Sequence, residues 1–171
     1  ARGRYERVWQ SGENNLTFSL ILEADKNIKK LTSYPFIAAL AVKEALEKYI
    51  KTAQISLKWP NDILLNGQKL AGILFESFLQ NGQADFLICG IGININSAPK
   101  EITNSTSLVE YEDVSDLKLD ILLFDIIAKF EYYLSLAESD IDKIYELWQN
   151  DAHNIGVELI VKISDIEKKG I

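Results

Sequence analysis

The sequence predicts an α+β fold, a mixed, largely antiparallel sheet backed by helices. Three observations carry the prediction. Between residues 63 and 96, three apolar runs are separated by Asn66-Gly67 and Asn81-Gly82, a dipeptide that strongly favours a two-residue hairpin. Residues 34–50 bring Ala38, Ala41, Val42, Ala45, Leu46 and Tyr49 onto one side at the 3.6-residue period, with Lys43, Glu44, Glu47 and Lys48 opposite. Residues 117–136 carry a second apolar stripe through Leu119, Leu122, Ile126 and Phe130.

In chain order, Leu16, Phe18, Leu20 and Leu22 alternate within residues 15–22, the period of a strand with one apolar face. Ser33 stands where it would cap the helix over 34–50, with Pro35 in the first turn, where its missing N–H is harmless. ISLKW (55–59) sets Ile55, Leu57 and Trp59 on one side and Lys58 on the other, which reads Trp59 as a core residue. Pro60, Asn61 and Asp62 then break the run. Strands at 63–65, 69–77 and 84–96 follow as consecutive antiparallel neighbours, and the strands at 15–22 and 55–59 extend their edges. Beyond Ser97, TNSTSL (103–108) reads as a polar turn or cap. A shorter helix is expected near 139–150 and a strand at GVELIVKI, 156–163.

The chain has 171 residues, 47% of them hydrophobic and 25% charged, enough for a core and far from a disordered composition. A net charge of -7 argues against a general nucleic-acid surface while leaving room for a local anion site. The single cysteine, Cys89, excludes an internal disulfide and a multi-cysteine metal site. No apolar stretch reaches the roughly 18 residues of a spanning helix, so no membrane contact is expected and the protein is read as soluble and cytoplasmic. The sequence opens on Ala1 within a basic segment and stops at SDIEKKGI, which suggests a fragment of a larger protein.

Four segments are candidates for chemistry. Arg2, Arg4 and Arg7 surround Gly3 and precede Trp9, a flexible set of forked donors suited to phosphate or carboxylate, or simply a solvated basic end. Lys58-Trp59-Pro60-Asn61-Asp62 brackets a rigid turn with a cation and a carboxylate, though Asn and Asp there are also ordinary turn residues. Lys69 opens a strand directly after a hairpin, on the face of Ala71 and opposite Gly72. On an open face it would be solubilising alone, or part of a cationic site beside Lys58 and the arginines. Gly90 and Gly92 share one strand face and leave a trough for a flat group, with Asn94 and Asn96 continuing that face as amides. This is no nucleotide-binding GxGxxG, since the third glycine and the following helix are missing.

Together these segments resemble the biotin protein ligase family. ARGRYERVW is similar to the family's GRGRxGRxW, KWPND stands intact at 58–62, and KLAGIL (69–74) and GIGININ (90–96) match in order and spacing. TSL at 106–108 is a weaker echo. The family's upstream Ser/Thr-rich biotin motif and following Gln are not present, Ala1 and Glu6 replace glycines of the loop, and no N-terminal DNA-binding domain is visible.

The resemblance implies a fold like class II aminoacyl-tRNA synthetases and biotin ligases, with a catalytic core over residues 1–152 and the beginning of a small SH3-like domain over 153–171. It implies an enzyme that joins biotin to ATP, with Mg²⁺, as biotinyl-AMP and then passes biotin to a lysine of the biotin carboxyl carrier domain of acetyl-CoA carboxylase. In this scheme Lys69 bridges biotin carboxylate and α-phosphate, while Arg2, Arg4 and Arg7, loosened by Gly3, bind phosphate and close over the adenylate. Trp9 lies against the adenine, and Lys58 adds positive potential. Asp62 orients the acceptor lysine or helps hold Mg²⁺. Asn61, Gly72, Gly90, Gly92, Asn94 and Asn96 complete the binding surface. No particular set of metal ligands is implied, and a homodimer through a sheet edge is a further expectation. Two alternatives remain: a module that binds biotin or adenylate without turnover, and a lipoate or octanoate protein ligase.

Overall fold

The alternation at the start of the chain becomes strand β1 (Leu16–Glu23), whose even-numbered residues turn inward while Thr17, Ser19 and Ile21 are exposed. The computed structural model describes residues 3, 9–24, 27–80, 83–99, 101–163 and 166–170. Strands β2 (Ile55–Lys58), β3 (Asp62–Leu65), β4 (Gln68–Gln80) and β5 (Gln83–Ile93) join β1 in a five-stranded sheet of order β1-β5-β4-β3-β2. Each neighbouring pair is antiparallel. The three consecutive strands sit in the middle with β1 and β2 at the two edges, as the sequence predicts. Parallel pairing among the described residues is confined to two isolated bridges, Leu57 with Ala152 and Lys69 with Ser105.

The β3–β4 turn shows why Asn-Gly was a reliable signal. Asn66 and Gly67 both take positive φ, 48° and 79°, the left-handed pair that matches the twist of a tight hairpin. The Asn66 side chain also accepts the Gln54 N–H at 2.8 Å, tying the turn to the chain entering β2. The Asn81-Gly82 turn lies outside the described residues, and the flanking strands pair as far as Gln80 opposite Gln83.

Helix α1 (Ile28–Glu47) begins earlier than the sequence suggested. Its cap is Asn27, whose side chain accepts the Lys29 N–H, and not Ser33, which is fully buried and donates its hydroxyl to the Lys30 carbonyl. Pro35 therefore lies inside the helix. Having no N–H, it leaves the Leu31 carbonyl without its helical partner, a local loss outweighed by burying Tyr34, Ile37 and Leu40 in the core.

α1 packs on β2, β3 and β4, and helices α2 (Leu119–Ser139) and α3 (Ile141–Asn150) pack on α1. With elements on both sides, α1 is lined by small buried residues, Ala38, Ala39, Ala41 and Ala45, that let its neighbours approach closely. Its polar side grips α2. Lys30 pairs with Glu138, Glu44 with Lys129 and Tyr133, and Lys48 with Asp125. The descending partner numbers show that the two helices run antiparallel.

The outer edge of β2 is covered by residues 151–153, which exchange backbone bonds with Leu57 at 2.8 and 2.7 Å. β6 (Leu159–Ile163) and β7 (Ile166–Gly170) form an antiparallel hairpin. Among the described residues no helix is long and apolar enough to cross a membrane.

Glu112 fastens the link from α1 to β2. One carboxylate oxygen accepts the backbone N–H groups of Thr52, Ala53 and Lys51 and the Thr52 hydroxyl. Those donors, led by the Thr52 and Ala53 N–H groups, hold its carboxyl down at about 2. Because the folded value lies below that of the unfolded chain, this stabilisation is fully present above roughly pH 4.3 and disappears as pH falls toward 2. Glu112→Ala should lower the thermal midpoint by several degrees at pH 7. That deficit should shrink steadily in thermal unfolding scans between pH 5 and pH 2, and a deficit independent of pH would contradict the assignment.

Candidate active site

The strand registers align one row of residues across the whole sheet. Thr17 faces Gly92, Gly92 faces Gly72, Gly72 faces Asp62, and Asp62 faces Lys58. A second row carries Ser19, Gly90 and Leu74. All eight residues line a cavity of about 620 Å³. Intervening residues such as Ala71, Ile73, Cys89, Ile91 and Ile93 belong to the core beneath. Apart from Leu74, these two rows present small or polar groups to the cavity while the intervening residues are apolar, the period of two at work. Burial pushes the Cys89 thiol up to about 12, so that face offers no nucleophile at neutral pH.

Lys69 reaches the cavity through an irregularity. In the β3–β4 ladder Ile63 faces Ala71 while Leu64 faces Lys69, leaving Leu70 as the extra residue of a β-bulge. Leu70 and Ala71 are both fully buried, so alternation is broken and Lys69 emerges beside Gly72 rather than opposite it. Lys69 Nζ lies 3.4 Å from where a Cβ on Gly72 would stand. This corrects the strict alternation that placed Lys69 on the face of Ala71. The backbone of Lys69 is clamped on its other side, its N–H bonding the Asn104 carbonyl and its carbonyl the Thr106 N–H, both at 2.9 Å. Residues 106–108 are buried, and Ser107 forms a capping box with Glu110 that steadies this wall, in line with the expected cap.

Lys69 and Asp62 form an ion pair at 2.5 Å with both side chains largely shielded. Asn61, next to Asp62, is bonded twice to Ile73, through its carbonyl to the Ile73 N–H and through its amide to the Ile73 carbonyl, both at 2.9 Å. The turn after β2 is thereby fixed to β4. Its Trp59-Pro60 peptide bond is cis, and Trp59 is 61% exposed at the cavity margin, so it is not the core residue that alternation suggested. The strand ends at Lys58, one residue before the alternation does.

The trough holds a flat ring, and that ring belongs to the chain. Trp9 lies on Gly92 and Gly72, where a Cβ on Gly92 would fall 2.6 Å from the indole Nε1 and one on Gly72 would fall 3.0 Å from its Cζ3. Lys69 Nζ stands 5.7 Å from the Trp9 ring centroid, within cation–π range. Gly90 is different, since its added Cβ would meet nothing nearer than 3.7 Å.

The remaining candidates divide. Gly3, Lys58, Asn61, Gly72, Gly90, Gly92 and Asn94 line the cavity with Trp9, Lys69 and Asp62. Arg2, Arg4 and Arg7, together with Glu6, lie outside the described residues. Asn94 follows the end of β5, is 1% exposed, and donates to the Thr106 carbonyl at 3.1 Å. Its Oδ1 is buried without a partner among the described residues, an acceptor open to a donor group. Asn96 is exposed and is not among the lining residues, so the two asparagines do not continue one face. Among the described residues no three His, Cys, Asp or Glu side chains gather to hold a metal ion.

Sequence reasoning missed several contributors. Thr17 and Ser19, the polar partners in the β1 alternation, supply hydroxyls to the two rows, and that alternation was the signal that would have found them. Asn15 accepts the N–H groups of Ile95, Asn96 and Ser97 through its carboxamide oxygen and sets the path of the chain beyond β5. No sequence pattern announces that long-range contact.

Gly92→Ala should unseat Trp9, while Gly90→Ala should leave it in place. In a Trp59→Phe, Trp148→Phe background, acrylamide quenching of the remaining tryptophan should rise several-fold for Gly92→Ala and stay near the parent value for Gly90→Ala. Equal quenching in both variants would refute this packing.

The sequence matches the Biotin/lipoate A/B protein ligase family over residues 2–94. It is 33% identical to the bifunctional ligase/repressor BirA of Bacillus subtilis (strain 168) over 166 residues, 92% of this chain and 50% of that protein. It is 38% identical over 99 residues to the biotin--[acetyl-CoA-carboxylase] ligase of Paracoccus denitrificans, 57% of this chain and 41% of that protein. The fold superimposes on a biotin protein ligase from Aquifex aeolicus solved with biotin and ATP, with a TM-score of 0.81 and 29% identity over 99% of this chain and 71% of that one. The chain spans about half the length of the curated relatives it matches along nearly all of its own. With its motifs on one sheet face and its fold shared with a solved ligase, the chain belongs to the biotin/lipoate protein ligase family.

Proposed function

We propose that this chain carries the core of a biotin protein ligase, which activates biotin with ATP and transfers it to a lysine of a biotin carboxyl carrier domain. The observation that carries the reading is the Lys69–Asp62 pair set beside the glycine row, a fixed cation next to a surface that accepts flat groups. In the first step a biotin carboxylate oxygen attacks the α-phosphorus of ATP, the bond to the bridging oxygen of the β-phosphate breaks, and pyrophosphate leaves. Two anions must meet, so positive charge held in advance at their meeting point lowers the barrier. Lys69 supplies it, and Asp62 keeps its ammonium aimed. The arginines of residues 2–7 are the natural further phosphate contacts. Asn94 Oδ1 is an acceptor suited to the adenine amino group.

In the second step the acceptor amine attacks the acyl carbon, the bond to the AMP oxygen breaks, and AMP leaves while the amine proton passes to solvent. An amine of pKa about 10.4 is neutral only about once in a thousand at pH 7.4, so a cationic neighbourhood that disfavours its protonated form is useful. Mg²⁺ supplies charge neutralisation to the phosphates when bound. Asp62 and Glu76 are the carboxylates on the cavity lining that would contribute, the rest of the ligands coming from phosphate and water. A lipoate ligase is less supported, because the Paracoccus denitrificans relative and the superimposed Aquifex aeolicus structure are both biotin ligases. We assign residues 1–152 to the catalytic core and 153–171 to the start of a C-terminal β domain.

Calorimetry of the 171-residue chain with biotin, then with biotin, ATP and Mg²⁺, should show enhanced combined binding and release of pyrophosphate. Lys69→Ala should reduce pyrophosphate release at least a hundredfold with little change in thermal midpoint, because its side chain is outside the core. A Lys69→Ala chain that adenylates normally would remove Lys69 from the chemistry, and a parent chain that neither binds biotin nor releases pyrophosphate would overturn the ligase reading for it.

A further inference from the structure

We propose that Trp59 is the surface on which the acceptor's lysine arm lands, an assignment that rests on the ligase reading above. The three tryptophans of the chain have different fates. Trp148 packs edge-on against Phe36 at 5.2 Å on the border of the core, and Trp9 is seated on Gly92 and Gly72. Trp59 alone of the three is mostly exposed, at 61%, although it lines the same cavity. Scattered exposed apolar side chains are ordinary. This one is held at a defined place: it sits between Lys58, a member of the transverse row, and the Pro60-Asn61 turn that is bonded twice to Ile73. Ile102, 47% exposed, is a second apolar residue on the cavity wall.

The chemistry of the acceptor fits that surface. Its lysine must enter from outside with four methylenes and a terminal nitrogen, and an indole face attracts both the methylenes and an ammonium within about 6 Å. An aromatic platform also has an advantage over a carboxylate at this point. A carboxylate would stabilise the protonated amine, which cannot attack, whereas the indole holds the arm in either state and the adjacent Lys58 disfavours the charge. Asp62, the first residue of β3 after this turn, faces Lys58, the neighbour of Trp59, so an arm crossing Trp59 arrives at the Lys69–Asp62 pair where the acyl group is to be taken up.

The assignment separates the two half-reactions. Trp59→Ala should raise the KM for a biotin carboxyl carrier domain at least fivefold, while pyrophosphate release with biotin, ATP and Mg²⁺ alone stays within twofold of the parent. Trp59→Phe should restore most of the acceptor KM, since it keeps an aromatic face. Hydroxylamine, a small nucleophile with no arm to place, should take biotin from the Trp59→Ala chain at the parent rate. An unchanged acceptor KM in Trp59→Ala, or an equal loss in adenylation, overturns the assignment while leaving the ligase reading intact. A parent chain that releases no pyrophosphate overturns both.

Discussion

Leu70 has no partner on β3, and the site depends on that one extra residue. Without the bulge, Lys69 would follow the pleat onto the face of Ala71 and point into the core, where an unpaired ammonium is prohibitively costly. With it, two successive residues, Leu70 and Ala71, turn inward and Lys69 turns out, within ion-pair distance of Asp62. The bulge is secured from the side by the 104–106 segment, which takes both backbone groups of Lys69. The position of the cation is thus a property of three segments distant in sequence, and its geometry is as rigid as their joint hydrogen bonding.

The row of paired residues gives the same rigidity to the binding surface. Gly72 and Gly92 face each other across β4 and β5, and each lacks a Cβ where the Trp9 ring rests. Glycines in adjacent strand interiors weaken a sheet, and they are tolerated where another group must approach the backbone. Here the approaching group is part of the chain itself, so the glycine pair first shapes the protein's own wall and only then the space left for a ligand. Gly90, where an added Cβ would make only ordinary contacts with the Leu74 carbonyl and the Ser19 hydroxyl, is the glycine of the two rows that Trp9 leaves uncovered.

Much of this was legible in the sequence. Asn66-Gly67 announced its hairpin because two positive φ values leave few other residues a choice, and the alternation of Leu16, Phe18, Leu20 and Leu22 placed β1 correctly. The sheet order followed from short antiparallel connections. The start of α1 was not legible, because Ser33 and Pro35 form a local start signal that burial of Leu31 and Tyr34 overrides. The face of Lys69 was not legible either, since a bulge is decided by pairing with β3 and leaves no mark on a period of two. Trp59 was misread for a related reason: alternation was carried one residue past the end of β2, into a turn with its own geometry.

The two faces of the central strands explain how so small a core supports a precise site. Directly beneath the glycine rows, Ile73, Cys89, Ile91 and Ile93 belong to the same buried core as the inward side of α1, and α1 is in turn locked to α2 by ion pairs along another side. Loss of a methylene in that layer would be felt as a shift of the strand above it, because close-packed interiors transmit displacement rather than absorb it. The middle of the cavity floor, Gly72, Gly90 and Gly92 with Thr17 and Ser19, can therefore be built from residues with little or no side chain, whose positions are set from below. A surface of glycine, threonine and serine has almost no rotamer freedom to lose when a ligand arrives, so little of the binding energy is spent on ordering the sheet.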